Sequence, residues 1–451
     1  MEFLTHLASP QSIDHFHLMI VVLGVVSAFY IPYLAFLTGF SGLSVYFARR
    51  GRNEQNTMFS GLAKKLIRAA LADVKMMVFL GVIPSLSMLF LFSQLLQSTE
   101  AISVSLLFFA SLSLGIGAIL LYSYRFTYGL SALLSSVERS IPDRRTDLTV
   151  AGEVAEARSI NEQRSRRFGF YGVLFLLLTA CLTMSALAVT ADTGSWSSVG
   201  TVFDLMLSAG VWVHLLQFLS IVPGITGITL LLMLSRNTMG FARGEDEEAV
   251  FTRRLAIRLA VVSLLAQPLI LMLTYAVLPA EVYTTLVFTL GSLALILFFL
   301  AAHFVYASFK FDLRQYSPYA FATLGAAVVL LMVQNQVAVG TASRAHAASM
   351  EIAYERAMEE FRSKLGLSLN VVTGADIYSG RCSACHLPDA RKVGPPFKYV
   401  ADKYKGKLDA LEAFIRNPVK VNPDYPSMPN QGLKPAEIDS IAHYVLRTFG
   451  Q

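Results

Sequence analysis

Charged side chains are scarce in this sequence. Asp, Glu, Lys and Arg make up 15% of its 451 residues, against about 25% in an ordinary soluble protein. With 54% of residues hydrophobic, that deficit excludes a purely soluble globular chain and points to an integral membrane protein with a smaller soluble part. Cysteine is nearly absent, at three residues, so no disulfide framework is available. Cys181 stands alone in an apolar run and reads as an inert buried thiol. The first sixteen residues contain no Lys or Arg, so the basic n-region of a cleavable signal is missing. The first apolar run is also too long for a signal core and is expected to be a permanent anchor. The net charge of +6 does not imply a nucleic-acid partner, because the cations sit between apolar runs, where membrane topology accounts for them.

Eight apolar runs are long enough to cross a bilayer, which takes about 20 residues as a helix. They span roughly 17–47, 75–97, 102–124, 168–191, 203–235, 255–278, 282–309 and 318–340. The cations fall on alternate connections. Arg49, Arg50, Arg52, Lys64, Lys65 and Arg68 follow run one, and Arg125 to Arg167 follow run three. Arg236, Arg243, Arg253 and Arg254 follow run five, and Lys310 and Arg314 follow run seven. The other connections, "QSTE", "ADTGSWSSVGT" and "PAE", have no Lys or Arg. The positive-inside rule then puts both termini outside the cytoplasm. The predicted architecture is all-α: a transmembrane domain over 1–340, a helical stalk over 341–369 and a compact domain over 370–451. Met350, Ala353, Ala357, Phe361 and Leu365 give the stalk a partial apolar stripe.

The compact domain carries "CSACH" at Cys382–His386. In Cys-x-x-Cys-His two thiols can add across the vinyl groups of a haem, and the adjacent His can bind its iron. Cys-x-x-Cys also serves zinc and thiol redox sites. The helix-like "GADIYSGR" before the motif and "VGPPF" after it resemble class I cytochromes c, as does the closing "YPSMPNQGLKPAEIDSIAHYVLRTF". The resemblance implies covalent haem c on Cys382 and Cys385, with His386 and Met428 as axial iron ligands. A thioether opposite histidine raises the reduction potential and suits electron transfer. His443, on the last helix, reads as a surface residue. Covalent haem attachment in bacteria takes place outside the cytoplasm, the side that the charge pattern gives this domain. The domain's 11 Lys/Arg against 8 Asp/Glu do not define the charge of its redox partner.

Histidines within a bilayer are costly and often functional. His214 lies inside run five and is the first candidate for a haem b ligand, since helix bundles hold haem between facing side chains. His15 and His17 stand at the outer mouth of run one. Two residues apart on a helix, they face different sides, so one or the other would serve a given haem. His303, deep in run seven, is a candidate for a second relay step, and His6 and His346 read as solvated. The amides Gln217, Gln267 and Gln334–Gln336 could bond a quinone carbonyl or a haem propionate, or could join helices to one another.

The membrane part also resembles the large subunit of the cytochrome bd quinol oxidases. The likeness is carried by "DHFHLMIVVLG", "VKMMVFLGVIPSLSMLF", "FTRRLAIRLAVV" and "QNQVAVG", and by His214 in run five. It implies haem b on His214, and a haem-ligating role for His15. The sequence also departs from that family. Run three lacks its two glutamates and run eight lacks its haem-ligating glutamate. The loop "PAE" stands where the family has a long quinol-binding segment, and run seven has no methionine. These losses remove the usual apparatus of oxygen reduction.

Three functions are therefore in play. The first is a cytochrome of the bacterial inner membrane that relays electrons through haem b and haem c. It would connect the quinone pool, or a membrane complex, with a periplasmic redox partner, as a quinol:cytochrome c type subunit of a larger respiratory or photosynthetic assembly. The second is a bd-like terminal oxidase fed by its own cytochrome c. The third is a lipid-embedded anchor that carries haem c alone.

Overall fold

A computed structural model of the chain describes residues 11–140, 145–241, 244, 246–364 and 373–450. The protein is 82% helical, and the described residues contain no strand. The chain divides into two compact units, Met1–Glu355 and Arg356–Gln451.

The first unit holds eight helices long and apolar enough to cross a membrane. They are α1 (Ile13–Asn53), α3 (Val74–Leu95), α4 (Ser103–Ser140), α5 (Arg145–Thr190), α6 (Ala209–Arg236), α7 (Glu247–Val277), α8 (Thr285–Lys310) and α9 (Leu313–Ala342). Between α1 and α3 lies α2 (Thr57–Ala70), a helix that the apolar runs do not announce. Asn56 caps it by accepting from Met58 N at 2.8 Å. Its Phe59, Leu62, Ala63, Leu66, Ile67 and Ala70 form one buried stripe at helical spacing.

Several helices outrun their apolar segments. α4 continues to Ser140 and α5 begins at Arg145; the Ala-, Glu- and Arg-rich start of α5 is a strong helix former. Run five, by contrast, is interrupted. Ser208 adopts an extended conformation and caps α6 by accepting from Val211 N, so Val202–Leu207 forms a separate turn of helix. In α3 the ladder widens into a π turn over Val78–Val82, just before Pro84. Proline has no N–H and crowds the carbonyl four residues back, which favours such a bulge.

α1 occupies the centre, packed against α2, α3, α5, α6 and α9, while α4 lies along α5, α6 along α7 and α8 along α9. Close helix approach is plainest at Gly227, where an added Cβ would run into the backbone of Ala256 and Ala260. Small residues permit this approach in membrane bundles, where association depends on van der Waals fit. The outward faces carry exposed large apolar side chains such as Phe79, Leu219, Val262 and Phe299, as lipid contact requires. Cys181 lies among these exposed positions, contrary to its expected burial. α5 turns that position outward while Ala180 and Met184 face the core.

α10 (Arg344–Lys364) begins immediately after α9. Its Ala347 and Met350 are buried in the first unit's core, whereas Ala353, Ala357 and Phe361 of the expected stripe are exposed; Leu365 lies outside the described residues. In the second unit, α11 (Gly374–Ile377) runs on through a π turn over Tyr378–Cys382. α12 (Phe397–Lys403), α13 (Leu408–Arg416) and α14 (Pro435–Phe449) follow. The core joins Ile377, Phe397, Ala401, Leu411, Ile441, Ala442 and Val445, with Tyr378 packed against Phe397, Tyr444 and Phe449.

Candidate haem site and the intramembrane histidines

The second unit is built around a cavity of about 160 Å³. Cys382, Cys385, His386 and Met428 all line it, within walls that include Val400, Leu411, Ile441 and Val445. The approach to the motif is set locally. Thr373 and Asp376 form a reciprocal cap on α11, and the Thr373 hydroxyl and N–H hold the Asp376 carboxyl below its usual pKa. The helix then widens, with Ser383 N donating to Tyr378 O at 2.8 Å. Cys382 stands at the end of that wide turn, and π turns of this sort recur at functional sites.

His386 is held on three sides. Its Nδ1–H donates to the Pro395 carbonyl at 2.7 Å. Its ring stacks on Phe397, with centroids 4.9 Å apart and planes 8° apart. Behind it, a Cβ at Gly394 would come within 2.8 Å of both ring nitrogens, so only glycine fits there. With Nδ1 committed to a carbonyl, the lone pair is on Nε2, the arrangement that orients a metal-binding imidazole.

The alternative uses of Cys-x-x-Cys fit poorly. Burial pushes the Cys382 thiol up in pKa, opposite to the lowered pKa of a reactive redox thiol. Among the described residues no group of three or more His, Cys, Asp or Glu side chains is placed to hold a metal ion. Two thiols, one oriented imidazole and one thioether around an apolar hollow match a covalently attached haem with His and Met ligands.

The family model for cytochrome c matches residues 371–449. Cytochrome c-551 of Azotobacter vinelandii is 36% identical over 78 residues, which is 16% of this chain and 95% of that protein. Over this segment the chain belongs to the cytochrome c family. No solved structure matches. The cytochrome c domain implies covalent haem and electron transfer. Sequence reading missed the parts that hold His386, namely Gly394, the Pro395 carbonyl and Phe397, although all three lie in the "VGPPF" that it singled out. His443 is on the surface of the cytochrome c domain, beside Asp439.

The histidines of the membrane unit do not converge. His214 is half-buried; its Nδ1 contacts the Gly210 carbonyl at 2.9 Å and its Nε2 lies 3.2 Å from Asn335 Oδ1. It lines a space of about 70 Å³ with Met184, Gln217, Thr274, Met332, Gln334 and Asn335. His15 and His17 are exposed on α1, and His303 is exposed on α8 beside Phe304. None of the three lines the His214 cavity. His346, expected to be solvated, is instead packed edge-on to Trp196 at 5.4 Å and bonded to the Leu95 carbonyl at 3.1 Å. Burial holds its pKa down. His6 lies outside the described residues.

The amides join helices. Gln217 donates to Gln267 at 2.8 Å, and Gln267 donates to Ser220 Oγ at 3.0 Å. Gln334 reaches the Tyr275 hydroxyl at 3.3 Å, and Gln336 reaches Ser27 at 3.3 Å. α6 is thereby linked to α7, and α9 is linked to α7 and α1.

Proposed function

We propose that this protein is a multi-pass cytochrome of the bacterial cytoplasmic membrane. It exchanges electrons between the quinone pool, or a membrane complex, and a periplasmic redox protein. The observation that carries the reading is the gathering of Cys382, Cys385, His386 and Met428 on one cavity, in a chain that also holds eight membrane-length helices. When bound, haem c supplies a one-electron redox centre. The chain's own contribution is to fix His386 in one tautomer, to offer a thioether that favours the reduced iron and to exclude water with apolar walls. The restriction of Lys and Arg to alternate connections supports periplasmic termini.

The first sequence-based scheme placed haem b between His214 and His15 or His17. The residues do not fit it. The paired histidines are exposed away from the His214 cavity, and that cavity is less than half the size of the one behind Cys382. A quinone headgroup is a smaller ring that needs hydrogen-bond partners in an otherwise apolar space; His214, Gln217, Gln334 and Asn335 line the cavity and would bond it by exchanging the helix-to-helix bonds they now make. The reading includes a quinone headgroup at that position, within a larger respiratory or photosynthetic assembly.

A pyridine haemochrome assay on the purified full-length protein tests this account. The expected spectrum shows one covalent haem c per chain and no extractable haem. Absence of covalent haem would overturn the whole reading. A stoichiometric haem b would restore the two-haem relay and remove the quinone from the His214 cavity.

A further inference from the structure

A hollow larger than the His214 cavity lies away from the histidines. A space of about 510 Å³ lies between α2 and α4, near where the apolar run of α4 ends. Lys64, Arg68 and Arg125 line it, and among the described residues no carboxylate does. Neighbouring Lys65 shows the ordinary arrangement, 2.5 Å from Glu248. Lys64 is half-buried and Arg68 exposed, and neither forms an ion pair among the described residues. Arg125 donates to the Leu71 carbonyl just past α2. The carboxylate next in sequence, Asp73, is occupied in capping α3, accepting from Lys75 N at 2.9 Å.

A second observation points to an absent acceptor. Tyr122 also lines the space, and its buried hydroxyl has no hydrogen-bond partner. Buried polar atoms are rarely left so without a missing ligand or water. Three cations and an orphaned donor suit a phosphate, although the Asp73 carboxylate lies close enough to act on the Tyr122 hydroxyl. The rim adds the rest: Phe126 and Leu133 border the same space and are 71% and 64% exposed. A free phosphate has no use for that apolar lip, whereas the acyl chains of a lipid do. Basic pockets between transmembrane helices hold anionic headgroups on this physical basis.

We infer that the cavity between α2 and α4 binds the phosphate headgroup of an anionic phospholipid. The lipid would join α2, which rides on the surface of the bundle, to α4. This site is independent of the redox reading.

The test is native mass spectrometry of the full-length haem-loaded protein with phosphatidylglycerol, phosphatidylethanolamine or inorganic phosphate in turn. Phosphatidylglycerol should bind most tightly. Lys64→Gln and Arg68→Gln should each weaken it about fivefold, the share of one cation near an anionic lipid. Tyr122→Phe should also weaken it, and Lys310→Gln, away from the site, should leave it unchanged. Retention of the haem c spectrum and of the thermal midpoint would show each variant folded. Equal retention of phosphatidylglycerol by the Lys64→Gln/Arg68→Gln double variant and the parent would overturn the site. So would equal affinity for phosphatidylethanolamine, or inorganic phosphate bound as tightly as lipid.

Discussion

At the scale of single residues, the chemistry rests on how His386 is held. Gly394 packs so closely against the imidazole that Gly394→Ala must push the ring off the Pro395 carbonyl. The thiols are untouched, so covalent haem should remain while the iron loses its proximal nitrogen. The expected outcome is a high-spin absorption spectrum in material that still stains for covalent haem; an unchanged low-spin spectrum would refute the steric account. Met428 is tested by Met428→His. Axial ligands set haem potentials over roughly 0.8 V, and replacing a thioether by imidazole should lower the midpoint by about 0.1 V or more. A potentiometric titration with no shift would remove Met428 from the iron. Cys382, Cys385 and His386 stood out in the sequence because they form one five-residue motif, and Met428 because it precedes Pro429 just before the last helix. The partnership of His214 with Asn335 did not, since it joins residues on α6 and α9 that no local pattern relates.

Among the elements, the apolar runs gave the eight long helices because each is an uninterrupted apolar stretch of about the length that crosses a bilayer. The structure corrects their ends and reveals α2. That helix hides in a charge-rich connection, where its apolar stripe is diluted by Lys64, Lys65 and Arg68 on the other face. The break at Ser208 was also invisible, since Val202–Leu207 is as apolar as the helix that follows it. Packing between elements depends on contacts such as that of Gly227 with the backbone of Ala256 and Ala260. Gly227→Ala overpacks a site where no side chain can give way. The cost should be at the upper end of the usual 1–3 kcal/mol, or about 3 kcal/mol, read as a lowered thermal midpoint in detergent with the haem c spectrum intact. An unchanged midpoint would mean that α6 and α7 can separate without loss.

Seen whole, the molecule joins a soluble redox fold to a bundle whose surfaces are matched to lipid, and the two halves were unequally readable. The cytochrome c domain is small and carries dense, specific motifs, so sequence and structure agree on its core down to Ile441 and Val445. The membrane unit offers mainly hydropathy, which fixes how many helices there are but not which faces meet. The exposure of His15, His17 and His303 is a consequence: polar residues in apolar runs were identifiable, but their directions were not. The same unit left Cys181 on its outer face.

That last placement makes the protein its own measure of maturation. On the proposed reading haem attachment consumes Cys382 and Cys385 as thioethers, which reductant does not cleave, whereas a disulfide between the same two cysteines is cleaved. In denaturant and after reduction, the finished protein should therefore titrate one thiol per chain, that of Cys181, and haem-free protein all three. Any preparation between those values is a mixture whose proportions follow from arithmetic alone. Three reactive thiols in haem-bearing, coloured material would show that the haem is held without covalent bonds.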